Sequence, residues 1–140
     1  MTLRPVTREN VRAVCELDLA PHQERLVAPA AFTVAEGHYE PGAVLRAIYA
    51  GDEAAGVLLV ETETGTPCLV RFMVDAARQR KGIGRRALEL LAEELREQGW
   101  TTLETSFLPV ADGAEGFWRR CGFTDTGRTL HGEPVFARAL

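Results

Sequence analysis

The chain has 140 residues, 46% of them hydrophobic and 26% charged, with a formal net charge of −4. A single domain of about 100–200 residues fits that length, and the composition excludes a disordered tail, a collagen-like fibre and a coiled coil. The longest apolar stretch, around Ala54–Val60, falls far short of the about 20 residues that span a membrane. In chain order, the first predicted element is a short β-prone run, Thr2–Val6, where Pro5 suits an edge strand. Thr7 is placed to cap a helix over about Arg8–Leu19, which Pro21 ends; residues 21–33 read as loop or a short helix. Thr33 is placed to cap a brief helix near Val34–His38, and Pro41-Gly42 breaks the chain. Ala43–Ala50 and Ala55–Glu63 form a hairpin across Gly51-Asp52-Glu53. After the turn Thr64-Gly65-Thr66-Pro67, Cys68–Val74 is a nearly continuous apolar run interrupted by Arg71, which suits a central strand buried on both faces.

The clearest helix follows. Ile83, Ala87, Leu88, Leu91 and Leu95 recur at helical spacing, Glu and Arg take the other positions, and Gly99 is the expected stop. Thr101–Phe107 reads as a strand and Ala111–Arg120 as a helix ended by Gly122. Phe123–Leu130 and Pro134–Leu140 form a last hairpin across His131-Gly132-Glu133. The order β-α-α-β-β-β-α-β-α-β-β belongs to the α/β (α+β) class, one domain over residues 1–140 with helices packed on a sheet. The strand–helix–strand at 68–107 fits one right-handed crossover, which makes its two strands parallel.

Cys15, Cys68 and Cys121 are far apart, and neither they nor His22, His38 and His131 show ligand spacing, so no metal site is expected. They read as reduced cysteines of a cytoplasmic protein, and the start Met1-Thr2-Leu3-Arg4-Pro5 has no apolar signal core. Charge is uneven. Residues 16–40 hold Glu16, Asp18, Glu24, Glu36 and Glu40 against Arg25, which is the whole imbalance. Residues 78–86, Arg-Gln-Arg-Lys-Gly-Ile-Gly-Arg-Arg, hold five bases and no acid. One basic loop on an acidic chain points to a local anion site, not to the basic stripe of a nucleic-acid binder.

That loop sits where a buried strand ends and the long helix opens. The first turn of a helix has unpaired N–H groups and a partial positive charge, and Gly82 and Gly84 let an oxygen-rich ligand approach the backbone. The combination suits a pyrophosphate. It is not a P-loop, since GxxxxGK[ST] is absent, nor a Rossmann fingerprint, since position 87 is Ala.

At these residues the sequence resembles the GNAT family of N-acetyltransferases. The family's acetyl-CoA motif, [RQ]-x-x-G-x-[GA], reads Gln79-Arg80-Lys81-Gly82-Ile83-Gly84; its aromatic-x-x-x-Gly-Phe motif lies in Phe117-Trp118-Arg119-Arg120-Cys121-Gly122-Phe123. Element order agrees from Leu3 to Leu140. Leu3-Arg4-Pro5-Val6-Thr7 and Arg71-Phe72-Met73-Val74-Asp75 look like the bacterial spermine/spermidine acetyltransferase-like branch. The resemblance implies a mixed sheet of about seven strands with helices on both faces, acetyl-CoA as cosubstrate, and a small-molecule amine acceptor, with polyamines first. It also implies a homodimer in part of the family, and neither nucleic acid nor membrane as partner. Phe72, Met73 and Val74 are then the splayed strand that holds the pantetheine arm, and the backbone from Arg80 through Lys81, Gly82, Ile83 and Gly84 to Arg85, with Gln79, takes the pyrophosphate.

The expected reaction is direct attack of a primary amine on the thioester. An alkyl ammonium is neutral in roughly one molecule in a few thousand at pH 7, so a general base helps. The family often places a carboxylate on the strand after the main helix; that position is Ser106 here. Glu104, two residues earlier on the same strand face, and Glu24, in the acidic segment, are the candidates for the base. Many members carry a Tyr acid where this chain has Trp118, whose indole N–H donates a hydrogen bond but is no acid. A thiolate of pKa ~8.5 is a tolerable leaving group, so the rate is expected to depend weakly on residue 118. Two other readings stand: an acetyltransferase for another amine (amino acid, drug or protein N-terminus), and a CoA-binding regulatory module without catalysis, which Trp118 and Ser106 favour. An RNA-binding module on the basic loop is a third reading, which the acidic remainder opposes.

Overall fold

Apolar and alternating runs become seven strands of one mixed sheet in the computed structural model, which describes residues 1–21, 24, 28–109 and 114–140. The strands are β1 (Thr2–Pro5), β2 (Val44–Ala50), β3 (Glu53–Glu61), β4 (Cys68–Val74), β5 (Thr102–Ser106), β6 (Thr124–Leu130) and β7 (Glu133–Ala139). Their order is β1-β2-β3-β4-β5-β7-β6. Every neighbouring pair is antiparallel except β4–β5, which is parallel, as the crossover requires.

Helices cover both faces. The helix α3 (Ile83–Glu97) is the crossover, and α4 (Glu115–Arg120) precedes the last hairpin. Ile83, Ala87, Leu88, Leu91 and Leu95 of α3 pack with Trp118, Phe123, Phe136, Leu58, Leu69 and Leu103 in one core. Each fully buried Leu there contributes about 1.5–3 kcal/mol. Arg138 clamps the rim, holding both Glu89 carboxylate oxygens at 3.0 and 3.1 Å. On the other face α1 (Val11–Cys15) and α2 (Ala30–Tyr39) supply Val14 and Ala30 to a second core with Ala47, Tyr49, Val57 and Met73.

Several bounds differ from the sequence reading. The first helix ends at Cys15, short of Leu19. Asp18 is held elsewhere: its N–H donates to Asp75 Oδ1 at 2.9 Å, and its carbonyl accepts from Ala76 N–H at 2.8 Å. That clasp pulls the chain out of helical register. Thr7 caps the start as expected, its Oγ1 accepting from Glu9 N–H at 3.3 Å and its carbonyl from Val11 N–H at 2.9 Å while its own N–H donates to Asn10 Oδ1; a turn follows, and the regular helix begins at Val11. The second helix starts at Ala30, after Pro29, so Thr33 is a buried interior residue and not its cap. The expected helical start at Ala111 lies outside the described residues; α4 is described from Glu115. The last turn is only His131-Gly132, both with left-handed φ (51° and 79°), so Glu133 opens β7.

Candidate active site

A cleft of about 710 Å³ opens where β4 and β5 part. Their parallel pairing joins only Cys68–Leu69 to Glu104–Thr105, reinforced by Thr105 Oγ1 donating to Leu69 O at 3.0 Å. The β3–β4 register slips between Leu59 and Val60, leaving Val70 as an extra residue that bends β4 away from β5. Residues 70–74 therefore have no strand partner on the β5 side, and all five line the cleft. Gln79 Nε2 donates back to Val74 O at 3.0 Å, tying the loop to the strand it follows.

Beyond a short 3-10 turn, Ala76–Arg78, the backbone takes left-handed φ at Arg80 (62°) and Gly82 (78°) and then enters α3. Among the described residues no side chain caps α3, which leaves the N–H groups of its first turn, at the cleft lining, with their partial positive charge. A Cβ on Gly82 would meet nothing within 4 Å, whereas one on Gly84 would come within 3.3 Å of Phe117 Cζ. Gly82 thus opens space in front of the amides, and Gly84 lets α3 close on the aromatic wall. Gln79, Arg80, Gly82, Ile83, Gly84 and Arg85 line the cleft with Phe72, Met73 and Val74. Lys81 is exposed and does not line it. Arg78, the first base of the run 78–86, and Arg120, which has no role in the sequence reading, add positive charge; Arg78 is paired with Glu53. This cradle of uncapped amides, arginines and open glycine backbone fits a polyphosphate.

The wall is aromatic. The Phe72 and Phe117 rings stack at 6.0 Å, and Trp118 lies 5.8 Å from Phe72 and 5.3 Å from Phe123. The Trp118 ring lines the cleft, but its N–H is buried and meets no acceptor among the described residues.

The far end is framed by Ala28, Arg71, Ser106, Phe107, Leu108 and Glu133. Arg71 Nε lies 3.2 Å from Glu36 Oε1. Glu36 and Glu40 lie near Glu61, whose pKa is raised first by burial and then by their charges. Of the acidic segment, Ala28 reaches the lining, but none of its acids, Glu16, Asp18, Glu24, Glu36 and Glu40, lines the cleft itself. Glu24 is exposed and outside the lining. Glu104 is also outside it: its carboxylate is paired with Arg128. The pairing follows from a register slip in β6 between Asp125 and Thr129. The carboxylate in the lining is Glu133, which accepts a hydrogen bond from Ser106 Oγ at 3.0 Å. Ser106 is opposite Val135 on β7, so Glu133, two residues before it, projects on the same sheet face. Among the described residues Glu133 has no Lys or Arg partner. The sequence signal for it was weak, because Glu133 read as a turn residue.

A sheet split by one short parallel pairing, with an anion cradle at the open end, defines a family of group-transfer folds. The acetyltransferase (GNAT) family model matches residues 11–123, and the chain belongs to that family. No curated protein sequence matches the chain significantly. Among solved structures it is similar to the GNAT domain of S. lividans PAT, with TM-score 0.79 and 20% identity over 99% of this chain and 89% of that one. It is similar to the ribosomal-protein-S18-alanine N-acetyltransferase of Escherichia coli, with TM-score 0.73 and 19% identity over 99% and 92%. It is also similar to the PaiA N-acetyltransferase of Thermoplasma acidophilum, solved in complex with coenzyme A, with TM-score 0.74 and 11% identity over 99% and 98%.

Proposed function

We propose that this acetyltransferase moves the acetyl group of acetyl-CoA to a primary amine, with polyamines as the first acceptors to test. The observation that carries the reading is the fork between β4 and β5, which opens onto the uncapped start of α3. In this reading the backbone of Phe72, Met73 and Val74 holds the pantetheine arm in place of a strand. The loop Gln79–Arg85 takes the pyrophosphate on its amides. The thioester then lies at the aromatic wall, close to the far end framed by Ser106 and Glu133. The bound coenzyme A of the Thermoplasma relative supports the choice of cosubstrate.

Trp118 gives this site an apolar wall and no acid. An indole is no acid and its N–H is buried, so Trp118 gives the thiolate no proton, which a leaving group of pKa ~8.5 tolerates near neutral pH. The acidic group of Glu36, Glu40 and Glu61 beside Arg71 supports a polycationic acceptor, whose further ammonium groups favour such a surface. The competing reading, a module that binds the donor without transferring it, rests on Ser106 and Trp118 standing where many members have an acid or base.

The test is thiol release from acetyl-CoA with spermidine, spermine, a diamine, amino acids and a peptide, each alone. Release with polyamines only is the expected result. Release with a different amine keeps the transferase and discards the polyamine. A flat trace from folded protein that binds acetyl-CoA discards every acceptor in the panel and favours the binding module over an acceptor outside it.

A further inference from the structure

We infer that Glu133, held by Ser106, is the group that takes the proton from the acceptor ammonium. The inference rests on the transferase reading above and names the residue that this chain uses in place of a carboxylate on β5.

Three carboxylates are in question, and their surroundings separate them. Glu104 is neutralised by Arg128 and lies outside the cleft lining. Glu24 is exposed and also outside it. Glu133 lies in the lining, is half-buried, and has no cationic partner among the described residues. Ser106 Oγ donates to its Oε1 at 3.0 Å. A carboxylate keeps about four lone-pair sites, and one donated hydrogen bond leaves most of them open to an ammonium. Every other charged side chain in the described lining is an arginine: Arg71, Arg78, Arg80, Arg85 and Arg120. Arg71 and Arg78 are paired with Glu36 and Glu53, so a cationic amine entering that cleft is repelled chiefly by Arg80, Arg85 and Arg120 and attracted at Glu133.

The geometry of the sheet explains why a serine stands on β5. Ser106 pairs with Val135, and Glu133 lies diagonally across on the same face. The two-residue turn at His131-Gly132 starts β7 early enough for that residue to be Glu133. The carboxylate has been moved one strand over, and Ser106 orients it. Ser106 is thus a positioning residue, and Glu133 is the catalytic one.

The step balances as follows. The ammonium R–NH3+ gives one proton to the Glu133 carboxylate, leaving R–NH2 and a carboxylic acid. The nitrogen lone pair forms the N–C bond to the thioester carbon. The C–S bond breaks with its electron pair going to sulfur. The second nitrogen proton ends on the departing thiolate, and Glu133 returns its proton to solvent. The net change is R–NH3+ plus acetyl-CoA to R–NH–acetyl, CoA–SH and one proton.

The experiment compares wild type, Glu133→Gln and Ser106→Ala by thiol release from acetyl-CoA across pH 6–9.5, using the amine that the wild type turns over fastest. Glu133→Gln is expected to lose about 100-fold in kcat/KM for the amine near pH 7, the scale of general base catalysis. The loss shrinks towards high pH, as a growing fraction of the amine is already neutral, and KM for acetyl-CoA stays near the wild-type value. Glu133→Asp is expected to recover part of the rate, and Ser106→Ala to lose less than Glu133→Gln with the same pH trend. A Glu133→Gln protein within about threefold of wild type across the range overturns the assignment. So does a loss equal at every pH, which marks a structural role. A wild type that turns over no amine overturns the transferase reading, and this assignment with it; the two failures are told apart by the wild-type trace.

Discussion

At Gly82 the backbone holds φ 78° with open space before it, immediately ahead of the uncapped first turn of α3. Two substitutions separate conformation from charge at this residue. Asn and Asp are close in size and both tolerate left-handed φ better than other side chains do, so Gly82→Asn and Gly82→Asp carry similar strain. Only Asp brings a negative charge to the proposed pyrophosphate. Two like unit charges about 4 Å apart repel by about 1–4 kcal/mol between bulk water and a protein surface. Gly82→Asp is therefore expected to bind acetyl-CoA at least about tenfold more weakly than Gly82→Asn, the equivalent of about 1.4 kcal/mol. Calorimetric titration reads the difference, and equal affinities would place the phosphates elsewhere. The same scale shows why the cradle was legible and the carboxylate was not. Residues 79–85 are contiguous, and their meaning lies in a strand–loop–helix pattern. Glu133 and Ser106 are 27 residues apart, joined only by the pairing of β5 with β7.

Among the elements, β4 decides the shape of the site, and β3 decides the course of β4. Gly56 stands opposite Val74, and a Cβ there would come within 2.4 Å of Met73 O. Backbone cannot yield at that distance as a flexible side chain can. Gly56→Ala is expected to push the two strands apart and destabilise the protein by about 1–3 kcal/mol. It should also weaken acetyl-CoA binding, because the displaced residues are those of the fork. Urea unfolding and a binding titration check both effects; an unchanged midpoint would contradict the close approach. Element identity was readable throughout: α3 from its period, the hairpins from their turns, β4 from its apolar run. Helix bounds on the α1/α2 face were not. The clasp of Asp18 with Asp75 and Ala76 and the burial of Thr33 are contacts between distant segments, and local capping rules do not see them. The β6 slip that brings Arg128 to Glu104 is of the same kind.

For the molecule as a whole, the titration of Cys68 sets an alkaline limit. Burial pushes this thiol up to about 11, and the charges of Glu104 and Glu61 add to the rise. A pKa raised in the folded state means that folding holds the proton more tightly. The contribution is complete below the ordinary thiol pKa of about 8.5 and is lost as pH climbs through about 11. The stability of wild type minus that of Cys68→Ala is expected to be level up to about pH 8.5 and to fall above it. Denaturant midpoints at pH 8, 9.5 and 11 measure the trend, and a difference that stays level throughout would show that the thiolate is not penalised. No helix among the described residues is long and apolar enough to cross a membrane.

The two-residue seam between β4 and β5 has a mechanical meaning as well. It is the only strand pairing between β1–β4 and β5–β7 among the described residues. With α3 packed across the join, the sheet is two ribbons stitched at one point. In the binding mode proposed above, a donor arm along residues 70–74 completes the missing length of ladder, so the substrate serves as a structural member while it waits to react. On that proposal binding energy flows into rigidity, and the release of product loosens the same seam that the next donor closes.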